Sequence, residues 1–132
     1  MFRILDSITV TRPVTVKVRV TEGYKMAVSA EIREALAGLD ARAKHLDFQM
    51  KRAQPADLQK LEVESRKIME SRRILADRLK EIGRLVDGQE VVHGRVESFV
   101  EVKLGDRWDR VMSAELVLQD GQVVEIRQGG LL

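Results

Sequence analysis

The pattern of apolar and polar positions changes period twice along the chain. Val14, Val16, Val18 and Val20 alternate with Thr15, Lys17, Arg19 and Thr21, a period of two built from β-branched residues. Ile8 and Val10 carry the alternation upstream. Residues 1–23 therefore read as strand, with the valine face buried and the Thr/Lys/Arg face wet. Arg12-Pro13 interrupts this pattern, because proline has no N–H to give a ladder. A bulge, a turn or an edge position is expected there.

Residues 24–86 follow a helical period. Proline occurs once in this stretch, at Pro55, and the rest is dominated by good helix formers. Thr21 is a candidate N-cap, with Glu22 placed against the positive end of the helix dipole. Leu58, Leu61, Ser65, Ile68, Arg72, Leu75, Leu79, Ile82 and Val86 are spaced alternately by 3 and 4, a heptad seam. Ile32, Leu36, Leu39, Ala43, Leu46 and Met50 repeat the spacing upstream of the proline. Two such seams flanking one proline predict an antiparallel coiled-coil hairpin with its tip at Ala53-Gln54-Pro55-Ala56. In an antiparallel pair, facing positions have a constant summed number. A sum of 111 sets Met50 against Leu61, Ala43 against Ile68, Leu39 against Arg72 and Ile32 against Leu79. Its midpoint falls at the proline, so seam and breaker agree independently. Each arm of about 30 residues is roughly 45 Å long, so it should project beyond any small β-domain. One kinked helix pairing with another chain is the rival arrangement.

Residues 87–132 return to a period of two. Asp87-Gly88 ends the helix. Val96, Val100, Val102 and Leu104 share one face of a strand, opposite Glu97, Glu101 and Lys103. Gly105-Asp106 starts a turn. Residues 111–118 and 122–127 are two further strands, with Asp120-Gly121 as a two-residue hairpin signal. Gly129-Gly130-Leu131-Leu132 reads as a flexible tail. The expected fold is α+β in the order β-α-α-β-β-β. It is a single domain over 1–132, with the long hairpin inserted between an N-terminal strand region and a small antiparallel β region.

Several segments carry a resemblance. Residues 12–25, from Arg12-Pro13-Val14-Thr15 to Glu22-Gly23-Tyr24-Lys25, resemble the N-terminal signature of the YlqD-like family of bacterial proteins. Leu46-Asp47-Phe48-Gln49-Met50-Lys51, Gly88-Gln89-Glu90-Val91 and the stretch from Val96-Glu97-Ser98-Phe99 to Arg107-Trp108-Asp109 agree with it. The resemblance spans most of the chain. It implies a long coiled-coil insertion between short β segments, and it supplies no catalytic residue, ligand or cofactor.

Composition narrows the function classes. The chain has 132 residues, 33% of them charged, 4% aromatic and none of them cysteine. The missing cysteine excludes a disulfide scaffold, a thiolate metal site and a cysteine nucleophile. Met1-Phe2-Arg3-Ile4-Leu5-Asp6-Ser7 lacks the pattern of a signal peptide, and no run suits a membrane span, so a cytoplasmic protein is expected. No Walker, G-x-G-x-x-G or G-x-S-x-G pattern occurs. His45 and His93 are too distant in this layout to share a metal. No cofactor is implied.

The net charge of +2 hides an uneven distribution. Residues 1–23 carry four basic and two acidic residues, 24–86 fourteen and ten, and 87–132 five and nine. Arg66, Arg73 and Lys80 occupy one stripe of the second helix, with Lys67 and Lys60 beside it. Such a stripe suits a phosphate backbone. The alternative is a solvated face with partners such as Glu62 for Arg66 and Glu70 for nearby arginines. Ser65 and Arg72 are polar residues at core positions, where they can set register. Arg72 can also snorkel to water or pair with a carboxylate such as Asp40. Gly105-Asp106-Arg107-Trp108-Asp109 is either a turn whose tryptophan caps a small core or an exposed recognition turn.

Three functions follow as expectations. The first is a non-enzymatic coiled-coil interaction protein, associating with itself or another protein; a prefoldin-like, client-holding form is a variant by analogy. Its motivation includes apolar residues off the seam, namely Val28, Phe48, Val63 and Met69. The second is an RNA- or ribosome-associated factor using the basic stripe. The third is a small enzyme with a site near His93, Asp106, Trp108 and Asp109.

Overall fold

A computed structural model of the chain describes residues 1–129, so residues 130–132 of the expected tail lie outside the described part. The elements are β1 (Ser7–Arg19), α1 (Glu22–Arg52), α2 (Pro55–Arg84), β2 (Glu90–Lys103), α3 (Trp108–Val111), β3 (Ala114–Gln119) and β4 (Gln122–Gln128). The fold is α+β, and the order of its long elements is the expected β-α-α-β-β-β. Two compact units result: Glu22–Leu85, and Met1–Thr21 together with the described residues from Val86 to Gly129.

In the helical unit, α1 and α2 form a hairpin. Only Ala53 and Gln54 separate them, and Pro55 opens α2. Proline suits that position because its missing N–H would have had no partner in the first turn. Three contacts set the direction. Arg42 bonds Glu64, Arg72 bonds Asp40, and Lys25 Nζ donates to the Leu85 carbonyl at 2.9 Å. Their summed numbers lie close to the expected 111, which only an antiparallel pair allows. Ile32, Leu46, Ile68 and Ile82 are the buried side chains of the unit, and all four lie on the predicted seams. The seam stops at Ile82. Val86 is 68% exposed because α2 ends at Arg84.

The second unit is a four-stranded mixed sheet in the order β2-β1-β3-β4. β1 runs antiparallel to β2 and parallel to β3, and β3 and β4 are an antiparallel hairpin. The hairpin turns at Asp120 (φ 49°) and Gly121 (φ 80°), the doubly positive pair that an Asp-Gly turn supplies. β1 does not break at Pro13, which pairs with Glu97 in a ladder that keeps its register from Ser7 to Val16. β3 joins β1 only from Thr15 to Val18, so one side of β1 is an open edge at Pro13, where a strand tolerates proline. The bulge lies elsewhere: Val16 faces Gly94 and Lys17 faces Val92, leaving His93 as the extra residue on β2.

Val14, Val16 and Val18 of β1, with Val20 just beyond its end, form the core on this face, each at 9% exposure or less. The expected apolar face of β2 is only partly inside. Val100 and Val102 are half-buried, whereas Val96 and Leu104 are exposed, because β2 is an edge strand with a neighbour on one side only. β2 starts at Glu90 rather than near Val96, and α3 takes the start of the expected strand 111–118.

Leu46 is 4% exposed in the centre of the hairpin. Leu46→Ala is expected to destabilise the helices by about 2–5 kcal/mol, the usual range for a buried Leu truncated to Ala. Denaturant unfolding followed by far-UV circular dichroism measures this.

Candidate functional site

The β-ladder register decides which side chains share a face. Thr15, Lys17 and Arg19 of β1 line up with Glu90 on β2, with Glu115 and Val117 on β3, and with Glu125 and Arg127 on β4. The face expected to be merely wet is an ion-pair network. Lys17 Nζ lies 2.8 Å from Glu115, and Arg19 lies 3.4 Å from both Glu90 and Glu125. Arg127 pairs with Glu125 and Glu115, and its guanidinium grips Glu90 with two bonds of 2.7 Å. That last contact runs from one edge strand to the other. Two intervening strands amount to about 14 Å of flat sheet, so both side chains must lie along the face. Val117, between Lys17 and Glu125 in the register, is completely buried beneath them. On the opposite face, Arg12 donates to the Val111 carbonyl at 2.6 Å, to Ser98 at 3.2 Å and to Gln128 at 3.3 Å. It thereby ties the β2–β3 crossover to three strands and α3.

This network was illegible beforehand, because its carboxylates come from strands far apart in sequence. The signal available was the alternation of Glu115 with Val117 and of Glu125 with Arg127. Chemically the face is self-satisfied, with Lys17, Arg19 and Arg127 matched by Glu90, Glu115 and Glu125. An open cavity of about 560 Å³ adjoins it, lined in part by Thr15, Lys17, Arg95, Glu115 and Arg127. The bonds from Arg127 hold the Glu90 carboxyl well below the usual range, at about 2, against an opposing effect of burial and with help from Arg19. Glu115 is lowered chiefly by Lys17, and Arg127 is raised chiefly by Glu90.

The stripe on α2 is weaker than its sequence suggests. Arg73 is held by Glu70 at 2.6 Å and Asp77 at 3.1 Å on its own helix, which raises the Arg73 pKa and lowers that of Glu70. Arg66, Lys67 and Lys80 are exposed and form no ion pair among the described residues. Ser65 and Arg66 line a shallow groove with Met50 and Glu62. Arg72 does not enter the core. Its side chain is 57% exposed and its Nε lies 2.6 Å from Asp40, so it both reaches water and ties the two helices.

Trp108 caps no core either, being 63% exposed at the start of α3. The structure does not bring His93 to Asp106, Trp108 and Asp109. Asp106 accepts from the Lys103 amide at 2.8 Å and Asp109 lies 3.5 Å from Arg107, so both serve their own turn. His93 is ten residues up β2 from Lys103, roughly 33 Å along the strand. His45 is exposed on α1, in the other unit.

Comparison with known proteins adds the family. The family model described as YlqD protein matches residues 8–127. The chain belongs to the YlqD protein family. The match takes in both strand regions and the hairpin between them. A crystal structure of a protein of unknown function from Synechococcus sp. WH 8102 is similar, with a TM-score of 0.69 and 25% identity. It covers 92% of this chain and 95% of that one. No curated protein matches.

A lowered carboxylate stabilises the fold above its unfolded-state pKa, and that stability is lost as pH falls towards the folded value. The sheet should therefore lose stability between about pH 4.5 and 2, the window of the Glu90 shift. Glu90→Gln should flatten that part of the curve, as measured by denaturant midpoints at several pH values.

Proposed function

We propose that the chain works by contact rather than catalysis, as a coiled-coil interaction or oligomerisation protein acting through its helical hairpin. The observation that carries this reading is apolar surface on both helices away from their shared seam. Met26 is 70% exposed, Met69 67%, and Phe48 and Ile74 each 53%. A single exposed apolar side chain is ordinary on any surface, but four large ones spread over both helices are apolar area that a partner would bury. Phe48 and Met69 were among the off-seam residues that motivated the reading, and Val63 is exposed as well. Val28 is half-buried. The cytoplasm is the setting that suits a cysteine-free chain. No helix of the described residues is long and apolar enough to cross a membrane.

The RNA- or ribosome-associated reading loses support from Arg73, whose charge is already matched by Glu70 and Asp77. Client holding, as in prefoldin, would use the same exposed apolar side chains.

Sedimentation velocity over a wide concentration range should show self-association, and affinity capture should retain partners at high salt. A strict monomer with no retained protein overturns the proposal. The triple change Arg66→Glu, Arg73→Glu, Lys80→Glu is expected to leave RNA retention unaltered. Steeply salt-dependent retention abolished by that change would favour the nucleic-acid reading instead.

A further inference from the structure

The side of α1 that faces away from α2 carries a second seam. Ala27, Ala30, Glu34, Ala37, Ala41, Lys44 and Phe48 are spaced alternately by 3 and 4, and every one of them is exposed. The corresponding side of α2 is crowded with charge, including Arg66, Lys67, Glu70, Arg73, Asp77 and Lys80. Apart from Glu34 and Lys44 this second seam is apolar, and a helix with such seams on two opposite faces gains from being covered on both. The hairpin covers one.

Charge identifies the occupant. Glu34 and Lys44 on this seam, and Arg33 and Asp47 along its border, form no ion pair among the described residues. Two copies of α1 laid antiparallel, in a register where facing numbers sum to 78, satisfy all four. Glu34 then meets Lys44 of the second copy, and Lys44 meets its Glu34. Phe48 lies over Ala30, Ala37 over Ala41, and Arg33 comes beside Asp47. Gly38 approaches its own copy near the two-fold axis, and an added Cβ there would meet nothing within 4 Å in the single chain. Small residues at the centre let two helices approach to about 8 Å. Asp40 meets its own copy near the axis, but each is already bound to Arg72.

Other arrangements are worse. A sum of 71 sets Glu34 against Ala37 and Phe48 against Gly23 at the helix start. A sum of 85 does set Glu34 against Lys51, but it leaves Lys44 facing Ala41, brings Asp40 beside Asp47 and puts Ala27 and Ala30 beyond the end of the partner helix. A parallel pair sets Glu34 against Glu34 and Lys44 against Lys44.

We infer that the chain forms a two-fold dimer through the Ala27–Lys51 face of α1, packed antiparallel on the same face of a second copy with Glu34 paired to Lys44 across the axis. The inference rests on the self-association reading above and names its surface. Such an isologous contact is closed, so it yields a dimer and not a filament.

The test uses the full chain as wild type, as Glu34→Lys, as Lys44→Glu and as an equimolar mixture of the two variants, each in sedimentation velocity. Both substitutions are at exposed helix positions and introduce good helix formers, and far-UV circular dichroism checks that the helices remain. The wild type should be a dimer. Each variant alone places two like-charge pairs at the interface and should weaken dimerisation by about tenfold or more. The mixture should restore a dimer. One variant then presents lysine at both of these positions and the other glutamate, so opposite charges face each other at both sites. A wild-type dimer unaffected by Glu34→Lys, or variants that do not reassociate on mixing, would overturn this face and leave self-association standing. A wild type that stays monomeric would overturn both.

Discussion

Everything in this fold depends on closing the chain between Val20 and Gln89. The Val20 amide donates to the Gln89 carbonyl at 2.8 Å, and the Gly88 amide donates back to the Val20 carbonyl at 2.8 Å. This pair of bonds brings together residues separated by the whole helical hairpin. Closing so long a loop has an entropic cost, although that cost grows only slowly with length. The hairpin reduces it further, since antiparallel helices of nearly equal length return the chain close to where it left. The Lys25 bond to the Leu85 carbonyl fastens the two helix ends. Val20, at 1% exposure, supplies apolar burial at the closure itself.

From that closure the sheet follows. From Thr15 to Val18 β1 is flanked on both sides, by β2 and β3, and short β-branched side chains supply most of the buried residues of this sheet. The opposite face solves a different problem. Val117 is apolar on a face otherwise populated by charge, and it is buried because long side chains pair above it. The Arg127–Glu90 grip therefore has a geometric role: it links the two edge strands across the face. Individual surface ion pairs contribute little, but a bidentate arginine within a network of several charges is the arrangement in which they count.

The helical unit divides its surface between two tasks. The seam between α1 and α2 is apolar, and where it is polar, Arg72 leaves the core and bonds Asp40 instead. The outer side of α2 is solvated and charged, and part of it is internally paired, in the Glu70–Arg73–Asp77 run. The outer side of α1 is exposed too, but it carries alanines and Phe48 in place of paired charge, which makes it the surface where contact with another chain has most to gain from burial.

What could be read from the sequence was local. The valine alternation of β1, the two heptad seams, the proline at the helix junction and the Asp-Gly turn each depend on neighbours within a few residues. Those rules of period and dihedral angle act before any tertiary contact exists. The antiparallel register of the hairpin was legible too, because its turn is short and fixes the pairing. Tertiary structure alone decided the rest. The parallel pairing of β1 with β3 brings residues some hundred positions apart side by side, and no local pattern encodes it. That pairing made Pro13 an edge residue inside a continuous strand, and it turned a wet face into a charge network. Trp108, too, is exposed rather than capping a core. Which face of a strand or helix ends up covered depends on what else arrives there, and that is a property of the assembled fold.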